Sequence, residues 1–121
     1  MIPRAVAGLA VALVVLLSSS AGWALKASPT EILADPDRFD GKFVMLTGQV
    51  TKLKPRVSQK GNPYYTFDLH DGRRGITVFS FGEPRCNEGV PATVEGHFQK
   101  VKRQGRYTFH NQVNARRISV P

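Results

Sequence analysis

Residues 43–53, FVMLTGQVTKL, constrain the fold more than any other stretch of the chain. Val44, Leu46 and Val50 fall at even spacing, the period of a strand with one buried face. Gly48 interrupts that row, and a glycine inside a strand marks a bulge or a sharp coil. A long strand bent at a glycine is what a small barrel needs in order to pass from one sheet into the next.

Four further strands are expected after it. Residues 54–63, KPRVSQKGNP, read as a loop. In residues 64–69, Tyr65, Phe67 and Leu69 alternate with Tyr64, Thr66 and Asp68, so one face is apolar and the other mixed. Residues 70–75 form a D-G hairpin connection, and residues 76–81 the next strand. Residues 82–89 are a loop with room for no more than one helical turn. Residues 91–101 carry Val94 and Phe98 on one face with Gly96 between them. Residues 103–106 are a tight turn in which Gly105 supplies the positive φ. Residues 107–118 close the set, with Tyr107, Phe109 and Val113 expected on the core face. Before the first strand, Ser28-Pro29-Thr30-Glu31 is a capping box with proline at the first helical position. Pro36 is expected to end that short helix. The order is a meander of three strands, a loop and a hairpin of two. That predicts an all-β fold, a five-stranded closed or partly open barrel with a short N-terminal helix. An SH3-like barrel competes, but its strands are shorter and more even than residues 43–53.

The N-terminus has the layout of a secretory signal peptide. Arg4 supplies a positive charge, residues 5–17 are apolar apart from one glycine, and Gly22 and Ala24 fit a small-x-small cleavage pattern. The expected division is therefore residues 1–24 as signal, 25–40 as helix and lead-in, and 41–121 as barrel. The mature protein would be exported, periplasmic or secreted, with no stable membrane span. The apolar run is short for a span of roughly 20 residues, although a retained anchor is the alternative. Cys86 is the one cysteine. A small exported chain often relies on disulfides, but this one cannot form one within itself and must hold by packing and strand pairing.

Charge is unevenly spread. The chain has 17 Lys and Arg against 9 Asp and Glu, and four of the acids, Glu31, Asp35, Asp37 and Asp40, precede the first strand. The barrel is left strongly basic, which favours polyanions: nucleic acid, acidic glycans or an anionic membrane surface. Solubility alone is the plainer explanation.

Residues 48–82 resemble the OB-fold nucleic-acid-binding domains of the anticodon-binding and helicase-associated type. The matching positions are Gly48 and Val50, Tyr65 and Phe67, Asp71 and Gly72, and Ile76, Val78 and Phe79. GHFQKVKRQGRYTF, residues 96–109, is similar to the closing hairpin of those domains. The resemblance implies a five-stranded OB-fold barrel. It departs from the pattern in two respects: the usual helix between the third and fourth strands is missing or reduced to a turn, and the chain carries an export signal.

In an OB barrel the loops between strands 1–2 and 4–5 flank a binding face made by strands 2 and 3. The first loop would carry Lys52, Lys54, Arg56 and Lys60, and the last Lys100, Lys102, Arg103 and Arg106. Those side chains would contact phosphates. Between them, Tyr64 and Phe79, with Phe81, would face outward and stack bases if Ile76 and Val78 face inward. Phe79 and Phe81 are otherwise core residues.

His70 belongs to the D-G turn. His97 and His110 are placed diagonally on one outer face if residues 104 and 105 centre the last turn, which also puts Gln99 opposite His110. A third metal ligand is not evident. No nucleophile elbow or phosphate-binding glycine loop is present, so no enzyme activity, metal or cofactor is expected. The expected function is binding of nucleic acid, single-stranded DNA or RNA, by an exported module. The alternative is an envelope accessory module that binds a protein or another anionic ligand.

Overall fold

A computed structural model describes residues 23–121. The predicted signal segment lies outside the described residues except for Trp23 and Ala24. Among the described residues no helix is long and apolar enough to cross a membrane. In chain order the elements are β1 (Leu25–Lys26), α1 (Pro29–Ala34), α2 (Pro36–Phe39), β2 (Phe43–Val57), β3 (Pro63–His70), β4 (Gly75–Phe81), β5 (Pro91–Gln104) and β6 (Tyr107–Ser119).

The five long strands pair in a ring. β2 pairs with β3, β3 with β4 and β5 with β6, all antiparallel. β2 also pairs antiparallel with β5, and a short parallel contact between β4 and β6 joins the two halves. This is the five-stranded Greek-key barrel of the OB fold. β1 adds two residues in parallel to the start of β2.

Gly48 is where β2 changes partners. Up to Gln49 it faces β5, and from Gln49 onward it faces β3. A Cβ on Gly48 would stand 2.6 Å from the His70 carbonyl oxygen, so only glycine lets the two backbones meet there. Gly96 does the same for β5 against β6, beside a register shift between Glu95 and Gly96, where a Cβ would strike the Asn114 carbonyl oxygen.

The expected alternation holds in β3 and β4. Tyr65, Phe67, Leu69, Ile76 and Val78 are buried, together with Val44, Leu46, Val50, Val94, Phe98 and Val113. Helix α1 closes one end of this core with Ile32. Its capping box is complete: the Glu31 amide donates to Ser28 Oγ at 3.0 Å, and the Ser28 amide donates to Glu31 Oε1 at 2.9 Å. Pro36 does end α1, but it also opens a second turn, α2, because proline suits a first helical position. That turn buries Phe39.

Asp71 ties the helix to the barrel. Its Oδ1 accepts from the Arg73 and Arg74 amides and closes the β3–β4 turn. Its Oδ2 accepts from the Thr30 amide at 2.9 Å, in the first turn of α1. Desolvation opposes ionisation here, but the hydrogen bonds from Thr30, Arg74 and Arg73 outweigh it and hold the carboxyl below the usual carboxylate range. His70 serves the same turn, its Nδ1 accepting from the Gly72 amide at 3.0 Å.

Between β4 and β5 the chain forms no helix. The loop lies across the bend of β2, where the Gly89 amide donates to the Val50 carbonyl and the Leu53 amide donates to Glu88 Oε1. Cys86 is buried beneath it, and desolvation pushes its thiol pKa up.

Three expectations change. Residues 54–57 are not loop, because β2 continues to Val57 and the connection to β3 shrinks to residues 58–62. The β5–β6 turn is centred on Gly105 and Arg106, with Gln104 opposite Tyr107, so Gln99 faces Gln112 rather than His110. His97 lies opposite Asn114 and His110 opposite Val101, so the two histidines do not converge. His97 instead packs edge-on against Phe43, ring centroids 5.0 Å apart. Tyr107 and Phe109 are not core residues: they are 56% and 40% exposed. The hairpin runs past the barrel, and Asn111, at φ 53, breaks the alternation between them and Val113.

Candidate nucleic-acid interface

Because Tyr65, Phe67, Ile76 and Val78 fill the barrel, the residues between them must point out. The outer faces of β3 and β4 therefore present Tyr64, Thr66, Asp68, Thr77, Phe79 and Phe81. The register lines these up across strands: Tyr64 is opposite Phe81, Thr66 opposite Phe79 and Asp68 opposite Thr77. The three aromatic rings form one patch. Tyr64 and Phe79 have centroids 5.4 Å apart, and Phe79 meets Phe81 edge-on at 4.9 Å. Phe81 is 76% exposed. An aromatic patch on the outside of a barrel is apolar surface that a partner can bury, and the π-face of a base is one that fits.

Basic groups stand on both sides of the patch. Cross-strand partners share a face, so Arg56, opposite Tyr64, and Lys54, opposite Thr66, stand beside it on β2. Both are exposed and, among the described residues, paired with no carboxylate. On the far side Lys102 lies over Phe79, its Nζ 4.2 Å from the ring centroid. The same Nζ donates to Asn114 Oδ1 at 3.1 Å, and Asn114 Nδ2 donates to Gln99 Oε1. Lys102 is half-buried by this packing, and desolvation pushes its pKa down. An anion placed beside it would reverse that penalty.

The remaining expected site residues divide. Lys52 is on the same strand at a bulge, with φ 54, and its Nζ reaches Asp68 Oδ2 at 3.8 Å. Asp68 also accepts from Thr77 Oγ1 at 3.3 Å. The one acid on the face is thus flanked by a cation and a donor. Lys60 is in the β2–β3 turn and exposed. Arg103 and Arg106 are on the β5–β6 arm, with the Arg106 guanidinium 5.7 Å from the Tyr107 ring. Lys100 is drawn away from the face. Its Nζ donates to Asp37 Oδ1 at 2.6 Å and its amide donates to Asp40 Oδ1 at 2.8 Å. The hydrogen bond and the charge of Asp37 raise its pKa.

Two aromatics belong beside this set that the spacing did not single out. Tyr107 and Phe109 stack on the β5–β6 arm with centroids 6.4 Å apart. A turn placed on Gly105 and Arg106, with glycine at the first central position, would have located the arm correctly.

No protein-family model matches the sequence, and no curated protein matches it. Solved structures do. A crystal structure from Leishmania major Friedlin, described as an aspartyl-tRNA synthetase, aligns with 84% of this chain at TM-score 0.57 and 16% identity. The alignment spans 22% of that protein's length. The likeness is one of fold. The second OB-fold domain of replication protein A from Methanococcus maripaludis aligns with 67% of this chain and 85% of that domain, at TM-score 0.46 and 16% identity.

Proposed function

We propose that the protein is an exported binding module that holds single-stranded nucleic acid across the outer faces of β3 and β4. The observation that carries this is the patch of Tyr64, Phe79 and Phe81, bordered by Lys54 and Arg56 on one side and Lys102 on the other. Aromatic faces offer stacking to any base, at about 1–3 kcal/mol per base. Lysine and arginine at the rim neutralise backbone phosphates without reading sequence. A duplex keeps its bases stacked inside and has no use for the rings, so the patch favours single strands.

Export rests on the N-terminal sequence pattern, and the function is one of binding rather than catalysis. The test is a salt series of binding to labelled single-stranded and duplex oligonucleotides by the mature protein. Single strands should bind more tightly, with affinity falling steeply as salt rises. Absence of binding to any oligonucleotide at low salt would overturn the proposal and favour a protein or glycan partner in the envelope.

A further inference from the structure

The parallel contact between β4 and β6 ends where Phe79 is level with Asn114. Beyond that pair the strands part, and Phe81 and Arg116 both line the gap between them. The gap is an open pocket of about 470 Å³. Tyr65, Ser80 and Phe81 line it together with three arginines, Arg85, Arg116 and Arg117. No carboxylate belongs to its lining. Glu83 lies two residues from Arg85, and Glu95 is opposite Arg117 in register, but neither comes within ion-pair distance of an arginine.

The lining holds a second sign of a ligand. Tyr65 is fully buried, and its hydroxyl has no hydrogen-bond partner within the protein. A buried hydroxyl is normally satisfied, because leaving it bare costs stability. Arginine forks and a hydroxyl donor are suited to the tetrahedral oxygens of a phosphate.

We infer that this pocket binds a phosphate group, and that the group belongs to the nucleic-acid strand stacked on the adjoining aromatic patch. Phe81 is shared by the two, meeting Phe79 on one side and lining the pocket on the other. A base stacked on Phe81 would deliver its neighbouring phosphate to Arg116. The second half of this inference rests on the proposed function, whereas the pocket itself does not.

Pyrophosphate titration of the mature protein, followed by calorimetry and by arginine side-chain NMR, tests the pocket alone. Saturable binding is expected, with Arg85, Arg116 and Arg117 perturbed. It should be lost in R116A/R117A, weakened about tenfold in Tyr65→Phe, and unchanged in Lys100→Ala, whose amine is held by Asp37. Arg116 and Arg117 are exposed, so the double variant should fold. Tyr65→Phe removes only an oxygen and is the second check. Equal pyrophosphate binding by the wild type and R116A/R117A, or no saturable binding, overturns the site whatever the oligonucleotides do. The link to the strand is tested by the salt dependence of oligo-dT binding. Losing one phosphate contact should flatten the log–log slope by about 0.7, and an unchanged slope with pyrophosphate binding abolished overturns the link. Wild-type protein that takes pyrophosphate but no oligonucleotide removes the nucleic-acid reading and this link together, and leaves the pocket standing.

Discussion

Replacing Phe79 by alanine removes the centre of the interface. Its ring touches Tyr64 at 5.4 Å, Phe81 at 4.9 Å and the Lys102 ammonium at 4.2 Å. Loss of one stacked base costs about 1–3 kcal/mol. At about 1.4 kcal/mol per decade, affinity for oligo-dT should fall roughly 5- to 150-fold. Folding should suffer less than for a core phenylalanine, because Phe79 lies on the outer face and the losses are its aromatic pairs, about 0.5–1.5 kcal/mol each, and its contact with Lys102. Fluorescence anisotropy at fixed low salt reads the affinity, and urea unfolding confirms that the variant is folded at the assay temperature. The salt slope should hardly change, since Phe79 meets no phosphate. Lys54→Ala and Arg56→Ala should do the opposite, each flattening the slope by about 0.7 with little change in stability. A folded Phe79→Ala protein that binds within about twofold of the wild type would refute stacking on this face.

Three other outcomes follow from the same geometry. Lys100→Ala should leave oligonucleotide affinity and its salt slope unchanged, because Asp37 and Asp40 already hold that residue away from the face; anisotropy checks it. Gly48→Ala should destabilise by about 1–3 kcal/mol in urea, since its Cβ meets the backbone carbonyl of His70 and neither strand can yield cheaply. Asp71→Asn should lower stability at neutral pH, because the oxygen that accepts from Thr30 is lost. The Asp71 carboxyl titrates lower in the folded chain than in the unfolded one, so its stabilisation is complete above about pH 4 and is lost as pH falls through the folded value. The difference between wild type and Asp71→Asn should therefore shrink in acid, and a gap in unfolding midpoint as wide at pH 2 as at pH 7 would contradict it.

The strand pattern was legible wherever alternation runs unbroken. Tyr65, Phe67, Leu69, Ile76 and Val78 point in as their spacing requires, and so Tyr64, Phe79 and Phe81 had to point out. Gly48 marked the bend for a steric reason that the sequence already carried. What local pattern could not reveal was the length of the two arms. Pro55 made residues 54–57 look like loop, although proline is tolerated where β2 runs out beyond the barrel. The register of the β5–β6 hairpin turned on which residue pair centred the turn, and the positive φ of Asn111 then reversed the exposure of Tyr107 and Phe109. Lys100 looked like its neighbours because its partners, Asp37 and Asp40, lie some 60 positions away in sequence. Arg85 meets Arg116 and Arg117 only through the parallel contact of β4 with β6, which no spacing within either segment discloses.

The most direct test of the central claim is an amide and aromatic chemical-shift map of the mature protein during titration with a short oligo-dT. Stacking on the outer faces of β3 and β4 predicts that the largest shifts gather on Tyr64, Thr66, Phe79, Phe81 and Lys102. Residues on the opposite side of the barrel, such as Phe43 and His97, should stay still. Shifts centred on Phe43 and His97, or spread evenly over every exposed lysine and arginine, would contradict it.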